Sequence, residues 1–140
     1  MVEGRYNWMS IAEAVMADKK QTAREFLELL YSGDADGALA RAVENPKLFN
    51  FNSEVAGGFR ILAAAMPAIY DQPPTRDYTA QYVDGDTVIN QITISGITKH
   101  GEDYRNYYLV IITLAGEKVA SMQVYMDSAY ANAKLASFRR

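Results

Sequence analysis

The sequence predicts an α+β fold, in which N-terminal helices pack on one face of a strongly curved, mostly antiparallel sheet. Apolar residues in the first third of the chain have helical spacing, whereas the chain after residue 75 alternates with a period of two. Short turns join the later β-rich segments, which favours neighbouring strands that run antiparallel. Helices that precede such a sheet must bury their apolar faces against it.

Composition narrows the classes of function. The chain has 14 Lys and Arg residues, 17 Asp and Glu residues and a net charge of -3, with both signs interspersed, so we expect no nucleic-acid partner. It has no cysteine and one histidine, which excludes disulfides and a multi-histidine metal centre. No apolar run is long enough for a membrane span, and the N-terminus lacks a signal-peptide pattern. We expect a cytoplasmic protein without metal, organic cofactor or membrane contact.

The length fits a single domain over residues 1–140. Within it, residues 1–19 are predicted as an N-terminal helical extension and residues 128–140 as a C-terminal helix or tail. Ser10 and Thr22 each precede a glutamate by three residues, which is the capping-box spacing and predicts two separate helix starts. The second of these helices should end at Gly33.

Asp34 is placed to cap another short helix, which the Asn45–Pro46 pair should end. Residues 47–52 then alternate as a short strand, with Leu48 and Asn50 on one face. Helical spacing returns in residues 57–70, where Pro67 should kink the helix. The remaining chain reads as consecutive strands over residues 76–83, 86–98, 103–114 and 117–127.

Alternation assigns the side chains of these strands to two faces. Tyr104, Asn106, Tyr108 and Val110 share one parity, which we assign to the inner face that the helices cover. Alternation also places Met122, Val124 and Met126 inward. Because the opposite parity is also partly apolar, we expect the outer face to pair with a second copy of the chain as a homodimer.

Three phrases carry a resemblance to a known family: "FLELLYSGDADGALARAVENPKLFNFN", "YVDGDTVINQITISG" and "GEDYRNYYLVIITLAGEKVASMQVYMD". Together they resemble the SnoaL-like polyketide cyclases over about residues 20–132. That family belongs to a cone-shaped fold shared with ketosteroid isomerase, limonene epoxide hydrolase, scytalone dehydratase and nuclear transport factor 2. The resemblance implies a deep pocket between the helices and the concave sheet, usually occupied by an apolar organic molecule. It is weak for chemistry, because the fold hosts many reactions and plain binding.

Carried over position by position, the resemblance brings no acid–base pair. The tyrosine, the polarising aspartate and the base of ketosteroid isomerase fall on Phe26, Val110 and Asn50, which cannot perform those roles. The charged set of limonene epoxide hydrolase falls on three uncharged residues: Thr93, Gln91 and Val124. Val124 also stands where many SnoaL-like sequences carry a carboxylate on the last strand.

The candidate catalytic residues are Tyr108, Asn50, His100 and Asp127. Asp127 precedes a predicted helix, so we interpret it first as an N-cap. His100 is the only group that ordinarily titrates near neutral pH, but it lies at a charged hairpin tip. Asn90 and Gln91 lie on opposite faces of their strand, and the sequence leaves open which one points inward. The predicted ligand-binding set is Phe26, Asn50, Phe59, Gln91, Asn106, Tyr108, Val110, Met122, Val124 and Met126.

Three hypotheses about function follow. The first is a pocket protein that binds a small hydrophobic molecule of the polyketide, steroid or terpenoid kind. The second is an isomerase, cyclase or dehydratase that polarises a carbonyl through Tyr108 and Asn50. The third is a dimeric adaptor whose pocket is filled by its own side chains, such as Met122, Met126 and Phe26.

Overall fold

The computed structural model describes the backbone of residues 2–139 and the side chains of residues 10–139. Over that range the chain forms four α-helices, six strands and a short 3₁₀ helix. Their bounds are α1 Val2–Tyr31, α2 Ala35–Ala40, β1 Ala42–Asn50, β2 Ser53–Glu54, α3 Gly58–Ile69, β3 Thr75–Asp84, β4 Thr87–Ile97, β5 Asp103–Ala115, β6 Lys118–Met126, α4 Ser128–Lys134 and the 3₁₀ helix Ala136–Phe138.

The six strands form one sheet in the order β2-β1-β6-β5-β4-β3. Strands β3 to β6 are a consecutive antiparallel meander, whereas β1 runs parallel to β6. The predicted α+β class and the mostly antiparallel sheet are therefore confirmed, although the sheet does not close into a barrel. Register shifts interrupt the β1–β6, β3–β4 and β5–β6 pairs. Such irregularities bend strands, which allows the sheet to curve around the helices.

Helix α1 is one continuous helix of 30 residues, so the prediction of two separate helices was wrong. Ser10 and Thr22 have the spacing of helix starts, but both lie inside it. The segment between them contains neither glycine nor proline and consists mainly of good helix formers, so nothing locally ends the helix. Most side chains over residues 10–18 are exposed, and the buried face of α1 begins at Ala23.

The end of α1 was predicted correctly. Gly33 adopts a φ of 93°, a left-handed conformation that glycine tolerates without strain. The N–H of Asp34 bonds to the carbonyl of Leu29, and that of Gly33 to the carbonyl of Leu30, which together form a Schellman motif. The Asp34 carboxylate then accepts a hydrogen bond from the N–H of Gly37 at 2.8 Å, confirming its predicted role as the cap of α2.

Helix α2 ends at Ala40, earlier than the predicted stop at residues 45–46. Strand β1 begins at Ala42 and includes Pro46, which the sequence suggested as a helix breaker. The β1–β6 register shifts between Ala42 and Lys47. Proline is accommodated at such an irregularity because no ladder hydrogen bond is needed from its nitrogen.

Helix α3 packs closely on β1. A Cβ atom on Gly58 would lie 2.5 Å from the Cδ2 atom of Leu48, so this approach requires glycine. Pro67 lies inside α3, and the helix continues to Ile69.

On β5, the inward residues Tyr104, Asn106, Val110 and Ile112 are all buried, as alternation predicted. The outward Tyr107 is 66% exposed. Over residues 2–139, no helix has an apolar stretch of the length and hydropathy required to cross a membrane.

Candidate functional site

A cavity of about 690 Å³ lies between α3, the inner face of the sheet and the C-terminal segment that follows β6. Its walls are mainly apolar. The principal apolar lining residues are Leu48, Val55, Leu62, Ala65, Met66, Ile69, Ile94, Val124, Met126, Leu135 and Phe138. A concave site with this volume and lining suits a small organic molecule.

Four tyrosines line the cavity: Tyr31, Tyr70, Tyr104 and Tyr108. We refer to these four as the tyrosine cluster. They come from distant parts of the sequence, because Tyr31 ends α1, Tyr70 follows α3, and the other two lie on the inner face of β5. Packing of α1 and α3 against the sheet therefore brings the cluster together.

The hydroxyl of Tyr31 is buried and has no hydrogen-bond partner, alone among the buried side-chain polar atoms that the structure describes. Only 2% of this residue is exposed. Its ring packs edge-on against the ring of Tyr108, with the ring centres 6.4 Å apart. A buried hydroxyl without a partner costs about 1–3 kcal/mol, so this group needs an explanation.

The two tyrosine hydroxyls on the inner face of β5 are bonded to each other. Tyr104 Oη lies 2.6 Å from Tyr108 Oη, and the side-chain amide of Asn106 donates to Tyr104 Oη at 3.1 Å. Asn106 is itself buried behind these rings. The cavity wall thus contains a bonded pair of phenols supported by an amide.

Burial raises the pKa of Tyr31, Tyr70 and Tyr108 well above the ordinary value of 10.0, because the phenolate form is disfavoured away from water. The neighbouring hydroxyl of Tyr104 raises the same pKa values further. These three phenols are therefore protonated at neutral pH. They can donate hydrogen bonds, but they cannot serve as general bases there.

Asn50, Ser128, Asn132 and Arg139 are the other polar side chains of the lining. Arg139 donates to the side-chain oxygen of Asn132 on α4. Over the described side chains, the cavity wall contains no carboxylate and no histidine. No group of three or more metal-ligating side chains occurs in the same part of the chain.

The predicted ligand-binding residues divide into those that line the cavity and those behind its wall. Asn50, Tyr108, Val124 and Met126 line it. Five others do not line it and belong instead to the buried interior: Phe26, Phe59, Asn106, Val110 and Met122. An inward position on a strand is therefore insufficient for contact with the cavity, because the helices pack directly against part of the inner face of the sheet. The side chain of Trp8, another aromatic near the N-terminus, lies outside the described side chains.

Gln91 was included in the predicted ligand-binding set, but it lies on the outer face of the sheet. Its side chain is exposed and lies beside Tyr107 and Leu109 on the outer face. Asn90 points inward instead and is fully buried. The Asn90 amide donates to the carbonyls of Val88 and Val110, and its oxygen accepts from Gln81. These bonds explain how the sheet accommodates a polar residue there.

His100 and Asp127 lie at the ends of strands rather than in the cavity wall. The His100 ring stacks on Phe138, with the ring centres 3.9 Å apart, and its Nδ1 lies 2.6 Å from Ser137 Oγ. His100 thus contacts the C-terminal segment but does not itself line the cavity. Asp127 accepts a hydrogen bond from the N–H of Tyr130 at 3.0 Å, so it caps α4 as interpreted from the sequence.

Sequence reasoning missed Tyr31, Tyr70 and the contribution of the C-terminal segment. A phenol at the buried end of a helix is a weak signal that its hydroxyl faces a polar site or cavity. Tyr31 directly follows the apolar face of α1, and Tyr70 directly follows α3. Both positions offered that signal.

No protein-family model matches the chain, and no curated protein matches it significantly. Solved structures do. An NTF2-like protein from Burkholderia xenovorans LB400 is 16% identical, with 85% of this chain and 96% of that chain covered and a TM-score of 0.66. A candidate SnoaL-like polyketide cyclase from Jannaschia sp. CCS1 is 14% identical, with 87% and 94% covered and a TM-score of 0.69.

An LEH-like epoxide hydrolase from M. tuberculosis is 13% identical, with 87% of this chain and 92% of that chain covered and a TM-score of 0.69. At these identities the likeness shows the fold. The NTF2-like fold expected from the resemblance to SnoaL-like proteins is therefore confirmed. Its occurrence in proteins of different description is consistent with function being set by the cavity side chains.

Proposed function

We propose that this chain uses its NTF2-like fold to bind one small, mostly apolar organic molecule of the polyketide, steroid or terpenoid kind. One observation carries the proposal. Tyr31 lines a largely apolar cavity of about 690 Å³, and its hydroxyl is buried without a hydrogen-bond partner among the described residues. An oxygen atom on a bound molecule would accept its hydrogen bond and remove the cost of leaving it unpaired.

Two sources of binding free energy are available in such a site. The apolar walls bury hydrophobic surface of the ligand, at about 25 cal/mol per Å². The polar groups fix its orientation, which is the usual division of labour in small-molecule sites. The descriptions of the similar structures as a cyclase and an epoxide hydrolase support an organic molecule as the occupant.

The proposal is tested by titrating 9-fluorenone, a rigid and largely apolar ketone, into the purified protein by calorimetry. We expect saturable binding with one molecule per chain. Val124→Phe fills part of the cavity and should weaken binding at least tenfold. Ile111→Phe is the matched control, because Ile111 lies on the opposite face of the neighbouring strand β5 and outside the lining.

Both variants are first compared with the original protein by circular dichroism and thermal unfolding, so that a loss of fold is not mistaken for a loss of binding. Equal affinity for 9-fluorenone in the original protein and in Val124→Phe would show that binding occurs elsewhere. An absence of saturable binding in the original protein would remove the proposal.

An isomerase, cyclase or lyase is the second candidate, and the neutral phenols favour it. Preorganised donors such as Tyr108 can stabilise negative charge that develops on a carbonyl oxygen. Binding is nevertheless preferred, because the described cavity wall offers no carboxylate or histidine to move the proton. Turnover of an enolisable ketone that is lost in Tyr108→Phe would favour the enzyme.

The filled-pocket adaptor is the least supported of the three hypotheses. Met122 and Phe26 were expected to close the pocket, but both pack in the interior beside an open cavity.

A further inference from the structure

The donor and the acceptor of each hydrogen bond behind the tyrosine cluster can be assigned, starting from Asn106. The Asn106 Oδ1 atom accepts from the backbone N–H of Tyr107 at 2.9 Å. Its Nδ2 atom donates to the backbone carbonyl of Asp127 at 3.0 Å. A backbone N–H can only donate and a carbonyl can only accept, so these two contacts fix the orientation of the amide. Nδ2 therefore also donates, at 3.1 Å, to Tyr104 Oη.

The Tyr104 hydroxyl must then donate its own hydrogen bond to a different acceptor. Tyr104 is 1% exposed, and among the described residues its only other hydrogen-bond partner is Tyr108 Oη at 2.6 Å. If Tyr108 donated to Tyr104, the buried proton of Tyr104 would have no acceptor, which costs about 1–3 kcal/mol. Tyr104 therefore donates to Tyr108. The Tyr108 proton has no acceptor in the described protein and is free for an occupant of the cavity.

We infer that Asn106 is a positioning residue that acts through Tyr104 to turn the Tyr108 hydroxyl proton into the cavity, which Tyr31 also lines. Tyr31 lines the same cavity and its ring centre lies 6.4 Å from that of Tyr108, so we expect a ligand to reach both phenolic donors. The two hydroxyls are not bonded to each other, because Tyr31 Oη has no partner. One acceptor oxygen between them would receive both hydrogen bonds.

This arrangement sets the chemical class of the ligand that we propose for the same cavity, so it rests on the proposed function. A ketone or quinone oxygen has two lone pairs and no proton, which suits two donors. An alcohol that accepts from both phenols has no partner between them for its own proton, and an alcohol that donates to one phenol leaves the proton of that phenol unpaired. A hydrocarbon would leave both donors unpaired. The site should therefore prefer a carbonyl to a hydroxyl, and a hydroxyl to a bare ring.

Three probes that differ only at one carbon separate these cases: 9-fluorenone, 9-fluorenol and fluorene. We expect the original protein to bind the ketone about tenfold more tightly than the hydrocarbon, the order of magnitude of one or two net hydrogen bonds. Tyr108→Phe should reduce that ratio to about threefold. The affinity for fluorene should change little, since the ring remains. The infrared carbonyl stretch of bound 9-fluorenone should lie at lower frequency in the original protein than in Tyr108→Phe.

The variant Asn106→Asp tests the direction of the hydrogen bonds that run from Asn106 through Tyr104 to Tyr108. Its Oδ1 still accepts from the N–H of Tyr107, but Oδ2 carries at most one proton, which the Asp127 carbonyl requires. Oδ2 can then only accept from Tyr104, so Tyr104 accepts from Tyr108 and a lone pair of Tyr108 faces the cavity. We expect this variant to bind 9-fluorenol more tightly than 9-fluorenone. If Asn106→Asp does not fold, Tyr104→Phe provides a second test. It removes the hydroxyl that links Asn106 to Tyr108 and should also lower the preference for the ketone.

The outcomes distinguish the two proposals. If none of the three probes binds, the proposed function fails, and this inference with it. If 9-fluorenone and fluorene both bind with equal affinity, the cavity binds apolar molecules but the inferred donor pair is wrong. If the carbonyl stretch is unchanged in both Tyr108→Phe and Tyr104→Phe, the inferred orientation of the Tyr108 hydroxyl by Asn106 and Tyr104 is wrong. This holds whatever the effect of the variants on stability.

Discussion

The two faces of β5 carry the same residue type in opposite settings. Tyr104 and Tyr108 on the inner face are bonded to each other at the wall of the cavity, whereas Tyr107 on the outer face is 66% exposed. Residue type alone therefore does not identify the site. Tyrosine becomes a specific hydrogen-bond donor only where burial withdraws competing water and leaves the hydroxyl few partners.

The contrast between the two faces of β5 is tested most directly by two variants, each of which places one aspartate on one face. Val110 is fully buried, and its neighbour Leu109 points outward. Val110→Asp should lower the free energy of unfolding by more than about 3 kcal/mol, because it buries a charge without a partner. Leu109→Asp should still fold, with a clearly smaller loss than Val110→Asp, because its carboxylate on the outer face stays in contact with water. Urea unfolding followed by circular dichroism measures both.

The Leu109 variant also tests the expected homodimer. We propose that the outer face, with Tyr107, Leu109 and Tyr125, pairs with a second copy of the chain. The original protein should then sediment as a dimer, and Leu109→Asp as a monomer. A monomeric original protein would contradict the dimer. Equal stability of the two aspartate variants would contradict the assignment of the faces themselves.

The second prediction concerns alkaline pH. Burial raises the pKa of Tyr31, Tyr70 and Tyr108 in the folded protein, whereas the unfolded chain releases these protons near pH 10. Above that pH the folded state holds protons that the unfolded state has lost, so stability is complete below pH 10 and declines as the pH rises. Each such tyrosine contributes a slope of about 1.4 kcal/mol per pH unit.

In Tyr31→Phe, the free energy of unfolding should decline less steeply with pH above pH 10, by the contribution of one tyrosine. Urea unfolding between pH 9 and pH 12 measures this decline. Ile112→Val provides the control, because it weakens the core without removing an ionisable group. It should lower stability by a similar amount at every pH. A slope that is the same in the original protein and in Tyr31→Phe would mean that Tyr31 is open to water.

The third prediction separates two tyrosines of the cluster at neutral pH. Tyr31→Phe removes a buried hydroxyl that bonds to nothing, so the free protein should become more stable by about 1–2 kcal/mol. Tyr104→Phe removes the partner of Asn106 and Tyr108, so stability should fall by a similar amount. Thermal unfolding of ligand-free protein measures both. A destabilised Tyr31→Phe would show that the hydroxyl already has a partner, such as an internal water molecule.

The elements of the sheet could be predicted because alternation is local. Val110, Ile112 and Met122 are inward on the basis of parity alone, and all three are buried. The same rule could have resolved Asn90, since Val88 and Ile92 share its parity and are buried too. The continuous α1 was missed because capping-box spacing also occurs within long helices, and this one continues because no glycine or proline lies between Ser10 and Thr22.

The site was only partly predictable, since a cavity depends on how far the covering helices extend. Met122 and Val124 have the same parity on β6, yet only Val124 lines the cavity. Tyr31 and Asn106 are separated by most of the chain, and their environments depend on distances between side chains that no spacing encodes. Whether a phenol is bonded or unpaired is likewise a property of the folded interior.

The smallest expected effect is at Asp127, where β6 leaves the cavity wall. Its carboxylate caps α4, a helix of seven residues, through the N–H of Tyr130. Asp127→Ala should cost about 1 kcal/mol of stability, and Asp127→Asn much less, since asparagine caps equally well. Both variants keep the backbone carbonyl that accepts from Asn106, so the affinity for 9-fluorenone should remain within about twofold. A tenfold loss in both variants, with the fold intact, would instead assign the carboxylate to the site, because asparagine preserves the cap but not the charge.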